Sequence, residues 1–249
     1  MTGTTVEVHA GPELLAQAVA TRLLVRIIDA QTERGEASVV LTGGRIAAAV
    51  HRAVRELPAR DAVDWSRVDV WWGDERFLPA GDPERNETQA REALLDALPQ
   101  LRVHAMPASD GPDGADPVAA AARYAAELVA AGPAGAALPH FDVLMLGVGE
   151  DGHVASLFPG HPVADGNGPV SAVRDSPKPP PVRITLTRDA ISTAEEVWLI
   201  ASGSGKAEAV GMALGGGPVR VPAAEVAGIR RTRWLLDGAA AAEVMPGLR

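Results

Sequence analysis

The chain has 249 residues, of which 47% are apolar and 22% charged, ordinary globular values that exclude a disordered or collagen-like chain. Its 23 basic and 32 acidic residues give a net charge of −9, and no basic run exceeds two residues, so we expect no nucleic-acid partner. The lack of cysteine excludes disulfides, a thiol nucleophile and zinc–thiolate sites.

The amino-terminal residues lack the basic start and apolar stretch of a signal peptide, and no apolar run approaches the roughly 20 residues of a membrane span. We therefore expect a soluble cytoplasmic protein with no membrane partner. Because the chain shows neither an internal repeat nor a linker, residues 1–249 are predicted to form a single domain. A monomer and a small homo-oligomer are both compatible with this composition.

Short β-rich runs alternate with helical patterns, which predicts an α/β fold with a parallel sheet covered by helices. In the first half we predict strands at 6–8, 38–41 and 68–72, and helices at 12–34, 45–57, 87–98 and 117–131. The helix over 12–34 is expected to end at Gly35 and to bury the face that carries Leu14, Ala18, Val25 and Ile28.

In the second half, strands are predicted at 141–146, 183–187, 197–200 and 234–236, and a helix at 204–214. Residues 159–181 are rich in Pro and Gly and are predicted to be irregular. The pair Trp71-Trp72 is expected to contribute to the core.

Four loops at predicted strand ends carry unusual residues, and ligands of open parallel sheets bind at such ends. The loops are 42–45 (TGGR), 73–76 (GDER), 147–153 (GVGEDGH) and 202–206 (SGSGK). Glycines let the backbone approach a ligand, and free N–H groups at helix starts favour an anion. The first and last loops therefore suggest a phosphate site, although both are also compatible with ordinary helix-entry turns.

His153 follows the clearest predicted strand, and an imidazole suits proton transfer near neutral pH. Asp74, Glu75 and Arg76 follow another apolar strand whose carboxyl end should face the same crevice. A surface histidine and a surface ion-pair cluster are the plain alternatives. Their shared position favours an acid–base enzyme acting on a phosphorylated ligand.

Other motifs are incomplete. Residues 147–152 fit the G-x-G-x-x-G pattern, but Pro159 and Gly160 interrupt any following helix and no ribose-binding acid follows, so no nicotinamide cofactor is expected. Ile200 stands where a P-loop needs glycine, and no G-x-S-x-G elbow is present. The histidines lack metal-ligand spacing, so we expect neither a metal nor another cofactor.

Five sequence blocks occur in order along the chain: LTGGR (41–45), WWGDERFLP (71–79), GVGEDGHVASLFPGHP (147–162), SPKPPPVRITLT (176–187) and SGSGKAEAV (202–210). Taken together, they resemble the glucosamine-6-phosphate isomerase/6-phosphogluconolactonase family. The resemblance implies a Rossmann-like fold of the deaminase/lactonase type, with a mostly parallel sheet and helices on both faces. It also implies hydrolysis of 6-phospho-D-glucono-1,5-lactone to 6-phosphogluconate in the oxidative pentose phosphate pathway, without a cofactor.

The resemblance further implies how the sugar phosphate is bound. Gly43 and Gly44 would lie at the phosphate, and Lys206 would supply charge. Arg183 would be a further cation for the phosphate or the oxyanion, delivered by the proline-rich segment before it. Arg45 stands where many members have a hydroxyl residue, and it either compensates for that group or points into solvent.

For catalysis, the resemblance implies His153 as the base, with Asp74 and Arg76 beside it. Deaminases of this family carry a Glu five residues after that histidine, whereas this chain has Phe158, which cannot relay a proton. The lactonase is therefore favoured over a deaminase-like isomerase. A non-catalytic sugar-phosphate sensor is the other alternative, and the presence of both His153 and Asp74 argues against it.

Overall fold

A computed structural model describes residues 3–133, 136, 138–161, 168–216 and 220–244. A large sheet contains β1 (Gly3–His9), β2 (Ala37–Leu41), β3 (Val68–Trp72), β5 (Arg102–Val103), β6 (Val143–Gly147), β9 (Glu196–Ala201) and β10 (Arg231–Asp237). A small sheet contains β4 (Asp74–Arg76), β7 (Val170–Val173) and β8 (Arg183–Leu186). The helices are α1 (Pro12–Arg34), α2 (Arg45–Glu56), α3 (Asn86–Ala93), α4 (Pro117–Ala131), α5 (Arg188–Ile191) and α6 (Ala207–Gly215).

The large sheet is parallel throughout, with the order β1-β10-β9-β6-β2-β3-β5. The chain runs outward from β2 through β3 to β5, then returns to place β6 beside β2. Right-handed crossovers that run in opposite directions put their helices on opposite faces, with α1 and α2 on one face and α4 and α6 on the other. Strands β2 and β9 are buried along their whole length, as expected when both faces are covered. The predicted α/β fold with a mostly parallel sheet is confirmed.

Helix α1 has the predicted bounds but buries a different face. Leu14 and Val25 are 54% and 51% exposed, whereas Leu15, Val19 and Leu23 are buried. The buried residues continue at steps of four along the helix, and this stripe packs against α2 and the sheet. The predicted face was wrong because the exposed Thr21 interrupts its apolar residues between positions 18 and 25.

The 73–76 segment, predicted as a loop, forms strand β4 after the glycine. It pairs antiparallel with β8, and the described part of 159–181 contains β7, which pairs with the other side of β8. Strands β4 and β7 were missed because pairing between distant segments, rather than apolar alternation, defines them, whereas β8 was predicted. Residues 162–167 of the predicted irregular segment lie outside the described residues.

Several element ends also differ from the prediction. Helix α3 ends at Ala93 and a 3₁₀ turn follows, so the helix predicted over 87–98 was too long. The helix predicted from 204 begins as a 3₁₀ turn before α6. Trp71 and Trp72 are both buried, because both faces of β3 are covered. No helix in the described ranges is long and apolar enough to cross a bilayer.

Candidate active site

A cavity of about 640 Å³ opens at the carboxyl ends of β2, β6 and β9, where the strand order reverses. This is the usual ligand position in open parallel sheets. The structure brings all eight predicted site residues to this one cleft: Gly43, Gly44, Arg45, Asp74, Arg76, His153, Arg183 and Lys206. Thr42 joins the two central strands there, because its Oγ1 accepts a hydrogen bond from the Gly147 N–H at 3.2 Å.

The loop between β2 and α2 requires its glycines for two different reasons. Gly44 has φ +97°, which an L side chain rarely adopts. Gly43 has no space for a side chain, because a Cβ there would lie 1.8 Å from Oδ1 of Asn86. Helix α2 then begins at Arg45 without a side-chain cap in the described part of the chain. Its first N–H groups and its dipole therefore favour an anion at this end of the cleft.

Three of the cations that line the cleft form a cluster, because Lys178 and Arg45, the first residue of α2, both act electrostatically on Lys206. Burial lowers the pKa of Lys206, and the charges of Lys178 and Arg45 act in the same direction, against the opposing effect of Glu150. The mutual repulsion of these cations is relieved when an anion binds between them. The cluster is suited to a phosphate dianion.

His153 lies in the cleft with its side chain 18% exposed, and its Nδ1 is hydrogen-bonded to Oδ1 of Asp151 at 2.5 Å. Burial lowers the pKa of His153, and this effect outweighs the opposing hydrogen bond with Asp151. The imidazole is therefore neutral at pH 7. When Nδ1 donates its proton to Asp151, Nε2 retains the lone pair that a general base needs.

The loop that carries His153 is compact because of a glycine. Gly149 donates its N–H to the His153 carbonyl at 2.8 Å. A Cβ at Gly149 would lie 2.0 Å from Nδ1 of His153, so a side chain at this position would displace the imidazole.

Phe158 packs against the imidazole of His153, with 4.6 Å between the ring centroids. The guanidinium of Arg183 lies over the ring of Phe158, with its central carbon 5.7 Å from the ring centroid. The position for which the resemblance implies a Glu in deaminases is thus occupied by a buried apolar ring beside the candidate base.

Asp74 is buried and its carboxylate already has several partners. Oδ2 accepts a hydrogen bond from Ser156 Oγ at 2.7 Å, and Oδ1 accepts one from Asn86 Nδ2 at 3.4 Å. The guanidinium of Arg183 lies 3.8 Å from Oδ2. Asp74 thus connects the small sheet, α3 and the loop that carries His153.

Arg76 also lines the cleft, and it is held at two places. Its guanidinium donates to the Glu84 carbonyl, and its backbone N–H donates to Glu75 Oε1 at 2.8 Å. The buried Nε of Arg76 has no hydrogen-bond partner among the described residues.

The structure adds three residues that the sequence prediction did not assign to the site. Asn86 and Lys178 line the cleft, and Asp151 orients His153. The spacing of two residues between Asp151 and His153 could have predicted their contact, since both side chains belong to one tight loop. Lys178 lies in the proline-rich block that was interpreted as a connector for Arg183. The described residues contain no group of three or more His, Asp or Glu side chains suited to a metal ion.

Comparisons with known proteins agree with this architecture. The family model described as glucosamine-6-phosphate isomerases/6-phosphogluconolactonase matches residues 10–234. A 6-phosphogluconolactonase from Streptomyces coelicolor is 60% identical over 243 residues, covering 95% of this chain and 93% of that protein. One from Mycobacterium tuberculosis is 48% identical over 244 residues, covering 96% and 98%.

Solved structures extend the comparison. The 6-phosphogluconolactonase from Trypanosoma brucei superposes with a TM-score of 0.86 at 30% identity, covering 98% of this chain and 100% of that chain. A monomeric glucosamine-6-phosphate deaminase has a TM-score of 0.76 at 21% identity over 96% of this chain and 99% of that one, a likeness of fold alone. The chain therefore belongs to the glucosamine-6-phosphate isomerase/6-phosphogluconolactonase family.

Proposed function

We propose that this protein hydrolyses 6-phospho-D-glucono-1,5-lactone to 6-phospho-D-gluconate in the oxidative pentose phosphate pathway. Relatives that align over nearly the whole chain are 6-phosphogluconolactonases. The observation that carries the proposal is the contact of His153 Nδ1 with Asp151 Oδ1 in a cleft that also holds a cluster of cations. This arrangement matches a substrate with a phosphate at one end and a hydrolysable ester at the other.

Phosphate binding is assigned to the start of α2 and the cations around it. Gly43 and Gly44 let the phosphate approach the backbone, and Arg45 and Lys206 supply positive charge. Binding this remote group holds the lactone carbonyl beside His153, which converts attack by water into a step within one complex.

Hydrolysis then needs one base and one cation. Nε2 of His153 accepts a proton from water while the water oxygen attacks C1, which forms a tetrahedral oxyanion. The C1–O5 bond then breaks, and the imidazolium returns the proton to the departing ring oxygen. Arg76 stabilises the oxyanion, and Asp74 keeps Ser156 and Arg183 in place. A lactone is an activated ester, so no covalent nucleophile is needed.

The deaminase alternative needs a second acid–base group near the histidine. Phe158 occupies that position and packs on the imidazole, which supports the lactonase. The proposal also includes a single domain, a cytoplasmic location, a monomer or small homo-oligomer, and activity without a metal or other cofactor.

The test is lactone hydrolysis measured by proton release, with the lactone generated in place and the spontaneous rate subtracted. Wild type should exceed the blank strongly, and His153→Ala should lower kcat by about 10²–10⁴-fold with little change in KM. His140→Ala serves as the control, because its side chain is exposed and lies outside the cleft. A wild-type rate equal to the blank would refute the lactonase, and ammonia release from glucosamine 6-phosphate would favour the deaminase.

A further inference from the structure

Lys178 reaches the cleft from the segment between β7 and β8. Its Nζ lies 3.4 Å from Oδ1 of Asp151, the same oxygen that bonds Nδ1 of His153. Lys178 also belongs to the cation cluster near Lys206 and Arg45. A single ammonium group is thus placed next to both the candidate base and the candidate anion site.

Arg183 holds the backbone of this segment. Its Nε donates to the Pro180 carbonyl at 3.2 Å, and one terminal nitrogen donates to the carbonyls of Lys178 and Pro179 at 3.2 and 3.0 Å. Arg183 is buried, and its other terminal nitrogen faces Asp74. Most of its donors are therefore directed at its own chain segment, whereas the resemblance to the family had implied that Arg183 is a cation for the phosphate or the oxyanion.

Ser176 adds a second constraint on the same segment. Its Oγ donates to the Lys178 carbonyl at 2.9 Å, and the Lys178 N–H is 3.3 Å from that oxygen. Prolines on both sides of Lys178 restrict the backbone further. The backbone of Lys178 is consequently held, while its side chain extends to Asp151.

We propose that Lys178 is a further active-site residue, which binds the anionic substrate and places its positive charge on Asp151, the carboxylate that contacts His153. We propose in addition that Arg183 is a positioning residue, which acts through Lys178 by binding the carbonyls of its segment. The substrate part rests on the proposed function, whereas the contact between Lys178, Asp151 and His153 does not.

The charges around His153 make the role of Lys178 measurable. Asp151 faces the imidazole from its own loop and Asp74 from β4, and both raise the pKa of His153. Lys178 faces it from the β7–β8 segment and lowers that pKa, while Arg183 approaches through the ring of Phe158. Removal of the Lys178 charge should therefore raise the pKa of His153.

The first experiment compares Lys178→Met, Lys178→Arg and the control Arg174→Met. Arg174 is an exposed cation after β7 that does not line the cleft. Lys178→Met should raise KM about tenfold or more. It should also shift the titration of His153 to higher pH, which NMR of the imidazole in the free protein measures. Lys178→Arg should retain most of the wild-type behaviour, and Arg174→Met all of it.

The second experiment tests the positioning role with Arg183→Met, Arg183→Lys and the double variant Lys178→Met/Arg183→Met. Arg183→Met should reproduce the effects of Lys178→Met, and the double variant should be no worse than Arg183→Met. Arg183→Lys should show the same changes more weakly, because an ammonium cannot replace a planar fork of donors. If circular dichroism shows that Arg183→Met fails to fold, Arg183→Lys provides the test in its place.

Several results would overturn the proposal. A wild-type KM and an unshifted His153 titration in Lys178→Met would remove Lys178 from the site. Multiplicative effects in the double variant would show that Arg183 contacts the substrate itself. The titration is measured without substrate, so it tests the effect of Lys178 on His153 even if the wild-type protein lacks lactonase activity. Absence of lactonase activity in the wild type would refute the proposed function and the substrate role of Lys178.

Discussion

At the scale of residues, two neighbours define the chemistry of His153. Asp151 accepts a hydrogen bond from Nδ1 and thereby sets the tautomer, while the ring of Phe158 covers one side of the imidazole. Burial lowers the pKa of His153, so the base form predominates at neutral pH. These two contacts hold His153, the candidate base selected from the sequence, in the orientation that the proposed role as a general base requires.

Lys206 provides a prediction at the same scale. Lys206→Ala should raise KM about tenfold or more with a nearly unchanged kcat, because a contact with the remote phosphate is the same in the ground state and the transition state. Steady-state kinetics of lactone hydrolysis measure both constants, and Lys206→Arg is the charge-preserving control. A lower kcat at unchanged KM would contradict phosphate binding by Lys206.

At the scale of elements, the side chains of strand β4 alternate between the cleft and the side that faces α3. Asp74 and Arg76 line the cleft, whereas Glu75 faces the opposite side. Glu75 accepts hydrogen bonds from the backbone N–H groups of Asn86 and Glu87 at 2.7 and 2.9 Å and so caps α3. This cap places Asn86 beneath Gly43, which links the small sheet to the candidate phosphate loop.

Glu75 also predicts a pH dependence of stability. Burial raises the pKa of Glu75 from 4.5 to about 7, against the charge of Arg85 and the backbone hydrogen bonds. The stabilising contribution of the protonated form is complete below pH 4.5 and is lost as the pH rises through about 7. This shift corresponds to at most about 3 kcal/mol in the free energy of unfolding.

Glu75→Gln removes the titrating group and serves as the comparison. In urea unfolding at pH 5 and pH 8, wild type should lose stability relative to Glu75→Gln as the pH rises. Other titrating groups cancel in this difference. Parallel pH dependences of the two proteins would show that Glu75 does not titrate in this range.

At the scale of the whole molecule, the cleft is assembled from loops that lie far apart in the chain. Gly43, Asp74, His153 and Lys206 follow four different strands and meet where the strand order reverses. A ligand that touches several of these loops binds the folded protein only. Binding should therefore stabilise the entire fold.

This linkage is testable with the product, 6-phosphogluconate. At 100 times its Kd the product should add about 2.7 kcal/mol to the free energy of unfolding and raise Tm measurably. Gluconate, which lacks the phosphate, should give a smaller shift at equal concentration, and Lys206→Ala should need more product for the same shift. Equal shifts with gluconate and the product would contradict a phosphate site.

The periodicity and turn residues of the sequence by themselves determined the alternation of strands and helices and the loops at the strand ends. They also indicated that the loops carrying Gly43, Asp74, His153 and Lys206 meet at one edge of the sheet, because residues after parallel strands lie there. The roles of these residues were implied by the resemblance to the family and stay predictions. Local patterns carry this information, since the side-chain periods of helices and strands are local properties.

Only the tertiary structure decided which face α1 buries, that the 74–76 segment pairs with β8, and that Lys178 enters the cleft. It also decided that the guanidinium of Arg183 binds its own segment and that Glu75 faces away from the site. Each of these features depends on contacts between segments distant in the chain. Pairing, burial and charge neighbours of that kind arise from the packed fold, and no local pattern of residues encodes them.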